Sequence, residues 1–468
     1  MEQLPQLRRS MGLFDVTLFF VVAGSNLQWV ATAAAAGPSS IVIWIIGCAA
    51  MFVPLSIVVV FLSSHYPDEG GMYVWAKRAF GPFAGFFTGW TYWTSNLPYF
   101  PSLLYFAAGN VLFVTGGKSA LEGSAPFFIA VAVGGLALAT VLNVLGLGVG
   151  KWLNNVGAAG RWFSTLALIV VGCIVVWRFG SATHVTAVTI RPGTHLKDVI
   201  FWSVIAFAWT GPEAISFMAG EIKNPRRNVP FGLLFAAPCI AVIYILGTVA
   251  VMGVVPSANV DASSGVMQAI GAASARLGWA LLTPVAAVMV FISCMGSCGA
   301  WLGAVARIPF VAGIDRYLPP IFGRMHPRWG SPVAAIVTQA AVATVFIFLG
   351  QAGSSVAGAY QTLVNSTVLI TMLPFMVLFA SAMKLDAQPA TSDPIRIPGG
   401  AITVRVAAAV GLLTTIAAAV LAMFPEDNEP NKPLFVIRVI AMTAVLVGAG
   451  VLVYRSGRRR AGAAPGLT

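Results

Sequence analysis

About twelve apolar runs, each of roughly the 20 residues that a helical bilayer crossing needs, follow one another along this chain with short polar turns between them. They fall near 13–36, 41–63, 86–114, 126–148, 153–177, 199–220, 230–255, 280–306, 331–350, 357–382, 401–424 and 433–455. Hydrophobic residues make up 58% of the 468 and charged residues 9%. The expectation is an all-α polytopic membrane protein of about 12 transmembrane helices, because in hydrocarbon the backbone must satisfy its own hydrogen bonds. The turn Gly37-Pro38-Ser39-Ser40 leads straight into a second apolar run, so the first reads as a span and not as a cleaved signal. No stretch reads as a separate extramembrane domain.

A net charge of +12 would suit nucleic acid, but the Lys and Arg residues follow the turns between spans. They gather on alternate turns, at Arg8, Arg9, Lys77, Arg78, Arg226, Arg227, Arg324, Arg328 and Arg455 among others, which is the positive-inside signal. An even number of helices then puts both termini in the cytoplasm, for a multi-pass protein of the cell membrane. The Arg458-Arg459-Arg460 tail reads as an anchor to anionic membrane lipids, with no nucleic-acid partner. All five cysteines lie in apolar spans without CxxC spacing, which argues against a disulfide framework or zinc site.

The sixth span is interrupted. In Phe201–Pro230, Thr210-Gly211-Pro212-Glu213 breaks an otherwise apolar helix. Pro212 lacks an N–H and clashes one turn back, so carbonyls around Ala206 to Thr210 lose helical partners and become able to bind a cation or an ammonium group. Irregular backbone at membrane depth belongs in a protein-lined or wet cavity, as at the midplane sites of secondary transporters. The alternative is a Pro kink with no ligand. Gly24-Ser25-Asn26 interrupts the first span in the same way, and two broken helices at corresponding places in two five-helix halves point to a substrate site. For Gly24 and Ser25 the alternative is close packing through small residues.

Three loop segments carry a family resemblance. Tyr66-Pro67-Asp68-Glu69-Gly70-Gly71-Met72-Tyr73 running into Lys77-Arg78-Ala79-Phe80-Gly81, Gly220-Glu221-Ile222-Lys223-Asn224-Pro225 through Pro230, and Arg307 with Asp315-Arg316-Tyr317-Leu318-Pro319 and His326-Pro327 resemble motifs of the amino acid, polyamine and organocation superfamily of permeases. The resemblance covers essentially the whole chain. It implies a 5+5 inverted repeat with broken helices 1 and 6, a first repeat over 1–180, a second over 181–385, and two further helices with a basic tail over 386–468. It also implies an amino acid or related amine as the small-molecule substrate. Asp68 to Trp75 and Tyr99 to Phe106 resemble the glutamate/γ-aminobutyrate antiporter branch, whose C-terminal plug the few residues after Arg460 are too short to form.

By similarity, the substrate carboxylate falls near Ala23, Gly24, Ser25 and Asn26, and its ammonium near Ala206, Phe207, Ala208 and Trp209. These are helix ends of opposite polarity. Here the family's G-S/T-G triplet is replaced by Ala23-Gly24-Ser25, or by Gly24-Ser25-Asn26 one residue on; Asn26 tolerates left-handed geometry and its amide can donate. Tyr92 and Asn96 of the third span, Phe207 as a gating aromatic, and Ser293 and Ser297 of the eighth complete the expected pocket. For Tyr92 and Trp209 ordinary aromatic packing is the alternative.

Ionisable groups at membrane depth are functional candidates. Glu213, directly beyond the break, suits a carboxyl that exchanges a proton or pairs with substrate; the alternative is a brace for the broken backbone. Arg161 sits where the family often carries a lysine in place of a sodium ion. Its guanidinium stays charged, so it argues for sodium-independent transport with Glu213 or plain exchange as the drive. Its alternative is snorkelling to an interface about 12 Å away. Asp15 and Arg438 lie at span ends within reach of headgroups.

The competing classes are a membrane-embedded enzyme, a channel, or a polyamine transporter of the same fold. The four histidines fall in loops or span ends, and neither an HExxH nor a filter motif is present. No cofactor is expected. Proton symport, antiport and uniport all stay open, as does the identity of the substrate.

Overall fold

The computed structural model describes residues 11–66, 70–116, 121–193, 196–217, 222–308, 317–390, 395–425, 429 and 431–462. Pro67, Asp68, Glu69, Gly220, Glu221, Asp315 and Arg316 of the loop motifs lie outside these residues. The described chain is helical. In order it forms α1 (Leu13–Gly24), α2 (Leu27–Ala35), α3 (Ser40–Gly47), α4 (Val53–His65), α5 (Met72–Phe80), α6 (Pro82–Val111), α7 (Ala125–Val144) and α8 (Leu147–Phe179). Then follow α9 (Leu196–Ala208), α10 (Pro225–Val254), α11 (Gly265–Leu277), α12 (Leu282–Val305), α13 (Val333–Gln351), α14 (Val356–Leu385), α15 (Gly400–Leu421) and α16 (Lys432–Gly462).

Among the described residues, 10 helices are long and apolar enough to cross a membrane. The α1/α2 pair and α9 with the 3-10 turn Pro212–Phe217 are the two interrupted runs, and supply the remaining crossings of the about twelve that hydropathy indicates. The chain is therefore a multi-pass integral membrane protein. Two helices went unread in the hydropathy: α5, whose mixed faces are too polar for a span, and α11, in the long connection before α12. The second span also carries a π-helical turn over Cys48–Phe52, which joins α3 to α4.

Burial divides the spans. α6 and α14 are mostly enclosed by protein, whereas α7 and α16 keep most of their surface outward. α6 packs along α14, and α8 along α12. The α8–α12 contact depends on two glycines: a Cβ on Gly157 would run into the Cα of Gly296, and a Cβ on Gly296 into that of Gly157. Backbones this close are available only to residues without side chains, a common device where lipid gives helices no hydrophobic reason to associate. Arg161 stands one turn beyond Gly157, and Ser297 directly follows Gly296, so this contact sets the distance between them. At their outer ends the two interrupted runs meet through a backbone bridge between Met11 and Ile222, with the Lys223 N–H donating to the Met11 carbonyl at 2.9 Å.

Candidate functional site

The first break is built by two polar side chains. α1 stops at Gly24, and Ser25 and Asn26 are extended before α2 begins. The Ser25 hydroxyl turns back onto the Val21 carbonyl. The Asn26 side-chain oxygen accepts from the Gln28 N–H at 3.2 Å, the arrangement of a helix N-cap. Asn26 therefore uses φ −141 and ψ 130 rather than the left-handed geometry it tolerates, because an N-cap must be extended for its side chain to reach the second helical N–H. Its amide nitrogen donates to the Tyr99 hydroxyl at 3.2 Å.

The second break follows Ala208. The Trp209 N–H still reaches the Ile205 carbonyl at 3.2 Å and the Thr210 N–H the Phe207 carbonyl at 2.9 Å. Gly211 then takes φ +132, which a side chain would strain, and Pro212 starts a 3-10 turn.

Between the breaks lies a cavity of about 60 Å³, room for a handful of waters at about 10–15 Å³ each. Ser25, Asn26 and Trp29 form one wall and Phe207, Ala208, Thr210, Gly211 and Glu213 the facing one. α6 contributes Tyr92, Ser95, Asn96 and Tyr99; Arg161, Tyr244, Trp301, Thr367 and Thr371 close the remaining sides.

Arg161, 9% exposed, turns inward. It donates from Nη1 to the Ser25 carbonyl at 2.8 Å and from Nη2 to the Ser297 hydroxyl, so a fixed positive charge ties the first break to α12. Glu213 is 2% exposed. Its Oε2 accepts from the Gly211 N–H at 2.7 Å and its Oε1 from the Tyr92 hydroxyl at 3.1 Å. The carboxyl thus braces the broken backbone and also faces the cavity. Asp15, by contrast, is exposed and caps the start of α1 by accepting from the Gly12 N–H at 2.8 Å, and Arg438 binds Ser354 and the Ala352 carbonyl in the turn between α13 and α14.

Of the residues expected from sequence, Ser25, Asn26, Tyr92, Asn96, Phe207, Ala208, Arg161 and Glu213 come together around this cavity. Ser297 touches it only through Arg161, and Ser293 lends its carbonyl to Ser297 at 2.8 Å. Gly24 is not among the residues lining the cavity, and its carbonyl accepts from the Tyr244 hydroxyl at 2.7 Å. Ala23 is the penultimate residue of α1, and its side chain lies outside the described residues. Ala206 is buried within α9. Trp209 packs away from the cavity among Trp44, Phe52 and Tyr244, with its indole N–H on the Trp44 carbonyl at 3.1 Å. Two of the four carbonyls expected to meet an ammonium already have protein donors: that of Phe207 accepts from the Thr210 hydroxyl at 2.7 Å, and that of Ala208 from Tyr244 at 3.2 Å.

Thr210 and Gly211 of the break line the cavity too, and Trp29, Ser95, Tyr99, Tyr244, Trp301, Thr367 and Thr371 do so without having been expected there. Thr210 and Gly211 belong to the break itself, so the signal for them was present. Tyr244, Trp301 and the two threonines sit in continuous apolar helices, where nothing local marks the side that faces inward.

Residues 11–446 match the model of a family described as amino acid permease. An uncharacterised transporter of Legionella pneumophila is 27% identical over 449 residues, covering 94% of this chain and 95% of that protein. A probable agmatine/putrescine antiporter of Lactococcus lactis is 23% identical, with 94% of each chain covered. A glutamate/serine transporter of Bacillus subtilis is 25% identical, over 74% of this chain and 66% of its own.

Proposed function

The chain belongs to the amino acid permease family, and on that premise we propose that it is a secondary active transporter which moves an amino acid or related amine across the cell membrane by alternating access. The observation that carries this is the cavity where two helix breaks meet, with Glu213 and Arg161 in its walls. A substrate there bridges both interrupted runs, so its binding biases how they sit relative to each other. In this reading the chain divides into repeats over 1–180 and 181–385 with two further helices, and both termini are cytoplasmic.

Transport is independent of sodium. Arg161 supplies a permanent cation between the Ser25 carbonyl and Ser297, oxygen ligands of the kind a sodium ion would otherwise use. Glu213 is the group that exchanges a proton or meets the substrate ammonium. A diamine is the second reading. It is favoured by an acidic group in the wall and by the antiporter relative from Lactococcus lactis.

The test is a thermal-shift screen of detergent-purified protein against amino acids, their decarboxylated amines and polyamines, followed by uptake of each hit into liposomes with and without sodium. Uptake of a hit in sodium-free buffer supports the reading. Turnover of a hit without movement across the membrane would replace it with an enzyme.

A further inference from the structure

We propose that Tyr244 is a positioning residue that holds the two helix breaks at the spacing a bound substrate spans. The link between the breaks stands on geometry alone; its consequence for substrate rests on the transporter reading above. The phenol oxygen lies 2.7 Å from the Gly24 carbonyl oxygen and 3.2 Å from that of Ala208. One oxygen therefore meets the last carbonyl of α1 and the last carbonyl of α9. Carbonyls at helix ends have no partner within their helix. A hydroxyl has one proton to donate, so that of Tyr244 is shared between the two carbonyls, with the shorter bond to Gly24.

The ring cannot follow one break and leave the other. It is 1% exposed, stacked on Trp44 at 4.1 Å and 7°, and met edge-on by Trp209 at 5.6 Å and 81°. Trp44 donates to the Thr248 hydroxyl at 3.1 Å, one turn along α10 from Tyr244, and its carbonyl receives the Trp209 indole N–H at 3.1 Å. The phenol is thus held on α10 by Trp44 of α3, with Trp209 of the second break against its edge. Displacing the two breaks relative to each other moves at least one of the two carbonyls away from the hydroxyl they share.

Tyr244→Phe keeps the stacked ring and removes only the oxygen. In full-length, detergent-solubilised protein without substrate, amide exchange at Gly24–Leu27 and at Trp209–Gly211 should quicken together by about tenfold, with α13 unchanged. Acceleration at one break only, or at neither, overturns the link. In liposomes the KM for a transported substrate should rise about tenfold while the maximal rate stays within about twofold. A lower melting temperature with an unchanged KM would make Tyr244 a packing residue and overturn the positioning role. Should Tyr244→Phe fail to fold, Thr248→Val loosens Trp44 while keeping the phenol, and a smaller rise in exchange at both breaks is expected; no rise there overturns the proposal equally. If the wild type takes up no amino acid or amine, the transporter reading fails, and the exchange measurement still decides the link.

Discussion

The Tyr92 hydroxyl donates to Oε1 of Glu213 across 3.1 Å, joining the middle of α6 to the break that follows α9. Because the other carboxyl oxygen holds the Gly211 N–H, any change in the charge of Glu213 is felt by two elements at once. The ionised form accepts both bonds. A protonated carboxyl can keep the Gly211 N–H on its carbonyl oxygen and turn its own O–H to the Tyr92 hydroxyl, which then accepts instead of donating.

Glu213→Gln should therefore retain substrate binding and flatten the dependence of transport rate on pH between about 5 and 8. The amide can accept from the Gly211 N–H with its oxygen and donate from its nitrogen to the Tyr92 hydroxyl, so stability should change by no more than about 1 kcal/mol. Proteoliposome uptake across that range, with melting curves of the same preparations, checks both parts. Superimposable pH profiles for wild type and variant would leave Glu213 a brace for the backbone.

Arg161→Ala should abolish transport, since it leaves the Ser25 carbonyl and the Ser297 hydroxyl without the charge that joins them. Arg161→Lys should restore only part of the rate, because an ammonium cannot reproduce the two-pronged geometry of a guanidinium. Wild-type uptake should be the same in sodium-free and sodium-containing buffer. A requirement for added sodium would remove Arg161 from its assigned role.

Phe207 is half-buried at the cavity wall and meets Trp29 edge-on at 5.3 Å and 86°. Phe207→Ala should weaken substrate binding by about tenfold, or 1.4 kcal/mol, with the fold intact. Calorimetric titration against the best hit from the screen measures this. An unchanged Kd would return Phe207 to ordinary packing.

Gly157→Ala places a methyl against the Gly296 backbone, which cannot yield as a flexible side chain would. A loss of about 1–3 kcal/mol is expected from the overpacking. Separation of α8 from α12 also draws Arg161 away from Ser297, so transport should fall further than the melting temperature explains. Normal transport at a temperature where the variant is fully folded would show that the contact is not needed for the site.

The class of molecule, its apolar crossings, both helix breaks and the two inward charges were legible in the residue order. Each rests on a local rule that holds whatever surrounds it. A run of about 20 apolar residues has few alternatives to a helix in lipid, Gly211-Pro212 cannot continue one, and Glu213 and Arg161 stand out as ionisable groups inside apolar spans. The break at Gly24-Ser25-Asn26 was legible as a place but not as a shape, because only the structure reveals Asn26 as the cap of α2. Ser293 and Trp209, expected at the pocket, turn to other partners, and Tyr244, which touches both breaks, went unsignalled. Lipid is as apolar as the protein interior, so a spanning helix need not alternate between polar and apolar faces, and its sequence does not say which side is turned inward. That choice was made by packing: by the glycine contact that sets α8 against α12, and by the aromatic stack of Trp44, Tyr244 and Trp209 that brings residues far apart in the chain to one oxygen atom.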